Sequence, residues 1–116
     1  MADYTLLAGT IPQHIRPLPP FSPLVIDFLQ ALSKELQTLP LAHTDMTWAA
    51  LGFWLRRSHV IQMAQDVSHI EDRLGRGVIF HIAPTNMPAM FAYSLTISML
   101  AGNGNIIRIS PRQVPF

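Results

Sequence analysis

Residues 75–110 read GRGVIFHIAPTNMPAMFAYSLTISMLAGNGNIIRIS, and the order of textures in this stretch decides the fold. Gly77 to Ile82 is a short apolar run with β-branched members, bounded by glycine and proline, which predicts a buried strand. Residues 88–101 are long enough for a helix and apolar on nearly every face, so they predict a core helix that Gly102 stops. Asn105 to Ile109 predicts a second strand. Strand, helix and strand in succession make a βαβ unit, with parallel strands and a right-handed crossover. The fold class expected is therefore α/β.

Between the first strand and the helix lies Pro84-Thr85-Asn86-Met87-Pro88. In open α/β sheets ligands sit outside the carboxyl ends of the strands, and Thr85 and Asn86 fall at that end. Two prolines fix two φ angles and stiffen the corner. One reading is that Thr85 or Asn86 caps the following helix. The other is that the Asn86 amide donates to an oxygen that becomes negative during reaction, an interaction of roughly 3–4 kcal/mol when preorganised. The local pattern leaves both open.

The second corner, Gly102-Asn103-Gly104-Asn105, ends a helix and precedes a strand, the reverse of a dinucleotide-binding glycine motif. Arg108 follows inside an apolar strand. A buried guanidinium needs a carboxylate or a phosphate, so an internal ion pair and an anionic ligand are both expected candidates.

Upstream, residues 1–21 hold four of the ten prolines and read as an extended arm. Residues 22–75 read as a helical N-terminal region, and 76–116 as the start of an α/β domain. Ser22-Pro23 is an N-cap followed by proline at the first helical position. Leu24, Phe28, Leu29, Leu32 and Leu36 follow as a helical stripe. Thr44 is a plausible cap for a second helix. Ser58 is the candidate cap of a continuation in which Val60, Met63, Ala64, Val67, Ile70 and Leu74 recur at helical spacing up to a stop at Gly75. Whether 45–74 is one bent helix or two stays open.

Composition sets the class boundaries. The chain has 116 residues, 49% hydrophobic and 13% charged, which excludes a disordered chain. Eight basic and seven acidic side chains nearly cancel, with no cluster suited to nucleic acid. Cysteine is absent, so disulfides and thiolate metal sites are excluded. The five histidines show no metal spacing, and His81, alone in a strand, reads as a satisfied core histidine. Asp66, Glu71 and Asp72 read as a solvated helix face, and Trp48, Phe53 and Trp54 as core or interface. No apolar run reaches the roughly 18 residues of a spanning helix, and no secretion signal is visible, so a cytoplasmic chain is expected. So much apolar sequence in so small a domain predicts a partner surface or an oligomer. Pro111 to Phe116 adds no closing helix, which suggests a fragment of a larger fold.

Taken together, these residues resemble a known family. The stretch 75–110 is similar to the start of the cofactor-binding domain of long-chain acyl-CoA reductases, the fatty-acid reductases of bacterial luminescence. Phe53-Trp54-Leu55-Arg56-Arg57-Ser58-His59-Val60-Ile61 resembles that family's FWxRKSNI-like segment. More distantly, Pro84-Thr85-Asn86-Met87-Pro88, Gly102-Asn103 and Arg108 resemble the Pro-x-Asn-x-Pro loop, the Gly-Asn pair and the strand-end lysine of the aldehyde dehydrogenase superfamily. The resemblance implies a Rossmann-like NADP-binding domain. It also implies reduction of a fatty acyl-CoA or acyl-protein thioester to fatty aldehyde, with NADPH, through a cysteine acyl-enzyme. Asn86 would steady the oxyanion, Arg108 would contact the adenosine ribose or its phosphate, Ser110 would assist, and Ala83, Pro84 and Thr85 would line the nucleotide site. An acyltransferase or acyl-protein synthetase is an implied partner. The departure is the nucleophile, for no cysteine occurs here. The rival reading is a truncated, non-catalytic module whose helices around Trp48 to Trp54 dock on a reductase or an acyl-transferring partner.

Overall fold

The computed structural model describes residues 4–11, 14–84 and 89–110. Among these described residues, five α-helices and two strands follow one another as α1 (Pro23–Thr38), α2 (Leu41–Thr44), α3 (Met46–Trp54), α4 (Arg57–Gln65), a 3-10 turn (Ile70–Asp72), β1 (Val78–Ile82), α5 (Met90–Leu100) and β2 (Gly104–Arg108). The chain thus combines helices with a small parallel sheet, as an α/β class requires.

Helix α1 starts where the sequence predicts, with Ser22 as N-cap and Pro23 at the first position, although the serine hydroxyl makes no capping bond. Its buried face is Val25, Leu29, Ser33 and Leu36. Leu24 and Phe28, assigned to the stripe, are 74% and 52% exposed. Both sets share helical spacing, so periodicity could not fix the phase; packing against α3 does. The Ser33 hydroxyl donates to the Gly52 carbonyl at 2.6 Å and the Gln30 amide to the Leu55 carbonyl at 2.9 Å, which ties α1 along α3.

The region 45–74 is neither one bent helix nor two long ones. Asp45, not Thr44, caps α3, its carboxylate accepting from the Thr47 N–H at 3.0 Å and the Thr47 hydroxyl at 2.6 Å. Arg56 breaks the run with extended backbone (φ −57°, ψ 146°) and turns back so that its Nε donates to the Phe53 carbonyl at 2.9 Å. Helix α4 then begins at Arg57, with Ser58 inside its first turn rather than capping it. It ends at Gln65, short of the predicted Leu74, because Asp66, Val67 and Ser68 are weak helix formers and His69 turns left-handed at φ 53°. Leu74 is accordingly 60% exposed.

Gly75 does not stop a helix; it is a close backbone contact. Its N–H donates to the Leu18 carbonyl at 3.0 Å, and Leu18 N–H donates to the Gly102 carbonyl at 2.9 Å. A β-carbon at Gly75 would strike the Gly102 carbonyl, and one at Gly102, where φ is +97°, would strike the Leu18 carbonyl. Among the described residues of the arm expected over 1–21, namely 4–11 and 14–21, there is no helix or strand, yet its end is docked by this seam and by Phe21 N–H on the Leu100 carbonyl at 2.7 Å.

One core spans both halves: Val25, Leu29 and Leu36 of α1, Leu51 of α3, Leu55, Val60 of α4, and Ala92 and Leu100 of α5. Burying each leucine contributes about 1.5–3 kcal/mol. Strands β1 and β2 pair in parallel with His81 opposite Ile107 and Ile82 opposite Arg108. Alternation sends Ile79, His81, Asn105 and Ile107 toward α5 and Val78, Phe80, Ile82, Ile106 and Arg108 to the other face. That other face is open: Phe80 and Ile82 are 58% and 68% exposed, so β1 is half-buried where a strand buried on both faces was expected. Helix α5 likewise leaves Met90 and Ile97 in solvent instead of lying wholly in the core. Among the described residues no helix is long and apolar enough to cross a membrane.

Candidate functional site

The two parallel strands end side by side, and Ala83, Pro84, Arg108 and Ser110, the described residues among those expected to bind the nucleotide, lie at or just beyond that end. Ala83 follows β1 and its N–H donates to the Arg108 carbonyl at 3.5 Å, extending the ladder by one step. Pro84 comes next, exposed, and Ser110 lies two residues beyond the end of β2, half-buried. Thr85 and the catalytic candidate Asn86 lie outside the described residues. At the described start of α5, the Ala89 cap position makes no side-chain bond.

Arg108 overturns one expectation. It is exposed, not buried. Its cross-strand partner is Ile82, and both belong to the open face, so the guanidinium carries no burial penalty that an internal ion pair would have to offset. Among the described residues the ion pair present is Arg57–Asp27, at 2.8 Å on the surface. Arg108 therefore presents a solvated, delocalised cation beside the strand ends, suited to a bidentate anion.

Two surface features lie elsewhere. A cavity of about 290 Å³ is lined by Ala50, Phe53, Trp54, Arg56, His59 and Tyr93, none of them from the strand ends. Arg56 stacks on Phe53 with its guanidinium carbon 3.5 Å from the ring centroid, and Phe53 is exposed while Trp48 and Trp54 pack against the core. His69, Glu71 and Asp72 bring donor atoms within 4.8 Å of one another on an exposed 3-10 turn. Sequence spacing missed that cluster because only the left-handed turn at His69 folds it together. Glu71 and Asp72 are solvated, but on that turn and not on a helix.

A polar chain runs under α5. His81 is 9% exposed, with Nδ1 2.8 Å from the Ser94 hydroxyl and Nε2 2.8 Å from Asn105 Oδ1. The satisfied core histidine of the sequence reading is thus found, with partners that chain order could not name. The signal that could have found them is the alternation of two paired strands, which sets 81 and 105 on the same face.

Against this geometry, the model of one protein family, described as acyl-CoA reductase (LuxC), matches residues 53–114, more than half of the 116 residues. The chain belongs to that family. The acyl-CoA reductase match begins at Phe53 of the FWLRRSHVI segment and takes in α4, β1, the proline-flanked corner, α5 and β2. No curated protein and no solved structure matches the chain.

Proposed function

We propose that this chain is the N-terminal part of a long-chain acyl-CoA reductase of the aldehyde dehydrogenase superfamily, acting in the cytoplasm, and that it supplies the corner against which a fatty acyl thioester is reduced to aldehyde. The observation that carries the reading is the family match over residues 53–114, which has the proline-flanked corner and Arg108 inside it. The nucleotide fits the described residues. Exposed Arg108 stands at the carboxyl ends of two parallel strands, beside the Ala83 backbone, where anionic ligands of α/β sheets sit. NADPH, when bound, supplies the hydride. Arg108 would contact its adenosine ribose or the phosphate on it, Ser110 would add a hydroxyl, and Ala83, Pro84 and Thr85 would shape the wall. Asn86 donates its amide N–H to the thioester oxygen as charge develops there. The thiolate that holds the acyl group comes from residues outside these 116, since none of them is cysteine.

The genomic frame past Phe116 tests this. A continuing frame with a cysteine and further βαβ units is expected. A stop codon at that point overturns it in favour of a docking module for a reductase or an acyltransferase. In the complete reductase, Asn86→Ala is expected to lower kcat by about 10²–10³-fold, the loss typical of an oxyanion donor. The isolated chain, given acyl-CoA and NADPH, is expected to form no aldehyde.

A further inference from the structure

His81 is the one titratable side chain that is buried among the described residues, and its hydrogen bonds fix its tautomer. Asn105 Nδ2 donates to the Asn103 carbonyl at 3.0 Å, so Asn105 Oδ1 is the atom turned to the ring. A carbonyl oxygen only accepts, so Nε2 carries the hydrogen and Nδ1 of the neutral ring holds the lone pair. The Ser94 hydroxyl, 2.8 Å from Nδ1, must then donate to it. The result is a hydroxyl on a base on an orienting carbonyl, with both links inside the 2.6–3.2 Å reach that marks an activated nucleophile (approximate range). The ring is reversed relative to the Ser-His-Asp arrangement, but either nitrogen's lone pair can take the proton.

The two ends of the chain differ in access. His81 is buried and Asn105 half-buried on the sheet face under α5, whereas Ser94 is exposed on α5. Met90 and Ile97, four residues before and three after, share its helix face and are 40% and 53% exposed. The hydroxyl is thus flanked by apolar surface, which suits an acyl body better than a phosphoryl group. Helix α5 contributes no charged residue, and Arg108 of β2 lies on the opposite face of the sheet from the ring.

We propose that Ser94 is an acyl-accepting nucleophile, activated by His81 and held in register by Asn105, for activated esters and thioesters. As Oγ bonds to the acyl carbon, its proton passes to His81 Nδ1. As the intermediate collapses the carbon–sulfur bond breaks, and the leaving thiolate takes that proton. Ser94 is left as an oxyester. Water, deprotonated by the same nitrogen, then releases the carboxylic acid and restores the serine. The choice of thioester rests on the acyl-CoA reductase reading; the nucleophile does not.

The test uses the whole chain with p-nitrophenyl butyrate and, separately, decanoyl-CoA, followed by intact mass and peptide mapping. An acyl adduct on Ser94, stable to neutral hydroxylamine and absent in Ser94→Ala, is expected, and adduct formation at least tenfold slower in His81→Gln. A missing Ser94 adduct with the nitrophenyl ester overturns the proposal. Reaction with that ester but not with decanoyl-CoA overturns only the thioester class. Because His81→Gln disturbs a buried site, Ser94→Cys gives a second readout, as the single thiol of the chain. Its alkylation midpoint is expected well below the ordinary thiol value of about 8.5, and a midpoint at or above that value overturns activation by the imidazole. NADPH-dependent aldehyde formation is a separate measurement, so the reductase reading fails or stands independently.

Discussion

Helices α1 and α3 and the strand pair all carry rows of apolar side chains, yet they use them differently. Between α1 and α3 the apolar side chains meet and vanish from solvent: Leu29, Leu51 and Leu55 are all 0% exposed. In β1 every second residue, each of them apolar, stands in water, because α5 covers one face of the sheet and no described element covers the other. Hydropathy alone therefore ranks Phe80 with Leu51, while burial sets them far apart. The helical layer and the inner face of the sheet hold the molecule together. The open face of the sheet contributes little to its stability.

The largest effect is expected at the centre of the helical layer. Leu51→Ala should cost about 2–5 kcal/mol in urea unfolding, as transfer and cavity terms add. A loss under 1 kcal/mol would break the contrast between the two regions. Next comes the seam that joins them. Gly102→Ala forces a β-carbon onto the Leu18 carbonyl at a left-handed position, and about 1–3 kcal/mol of destabilisation is expected, with faster amide exchange at Leu18 and Gly75. Phe80→Ser, on the open face, should change stability by no more than about 0.5 kcal/mol in the same unfolding assay. A large loss there would mean that the face is covered in solution.

The smallest effect concerns acid. The Thr47 hydroxyl, and after it the Thr47 N–H, hold the Asp45 carboxyl below the usual carboxylate range. A depressed folded-state value means that the cap stabilises α3 above the unfolded carboxylate pKa, and that this is lost as pH falls through the folded one. Asp45→Asn should remove that pH dependence, so melting curves of the two proteins are expected to differ in their slope against pH only in the acid range. Parallel curves there would show that the cap does not titrate with folding.

The order strand–helix–strand was legible in residues 77–109 because each texture has its own period and its own punctuation. The N-cap at Ser22-Pro23 and the docked role of Trp48 and Trp54 were legible for the same reason. What escaped were matters of phase and coverage. Leu24 and Val25 both begin helical stripes, and only the contact with α3 selects the second. Leu74 continues a helical spacing whose backbone has already turned left-handed at His69. Arg108 looked buried because its neighbours are isoleucines, yet strand alternation pairs it with exposed Ile82. Ala83 and Arg108 were singled out together only through the family resemblance, whereas Ser94, His81 and Asn105 needed the sheet register to become neighbours.

The seam at Leu18, Gly75 and Gly102 has a consequence for how the chain is made. Three points far apart along the polypeptide must meet before the arm can settle, and the last of them emerges more than eighty residues after the first. On a ribosome, α1 can coil early, but its final anchorage waits for the glycine that follows α5. Loop closures of that length are slow to form relative to local helix contacts. A nascent chain stalled before residue 102 should therefore keep an unsecured leading segment, open to proteases that the finished protein resists.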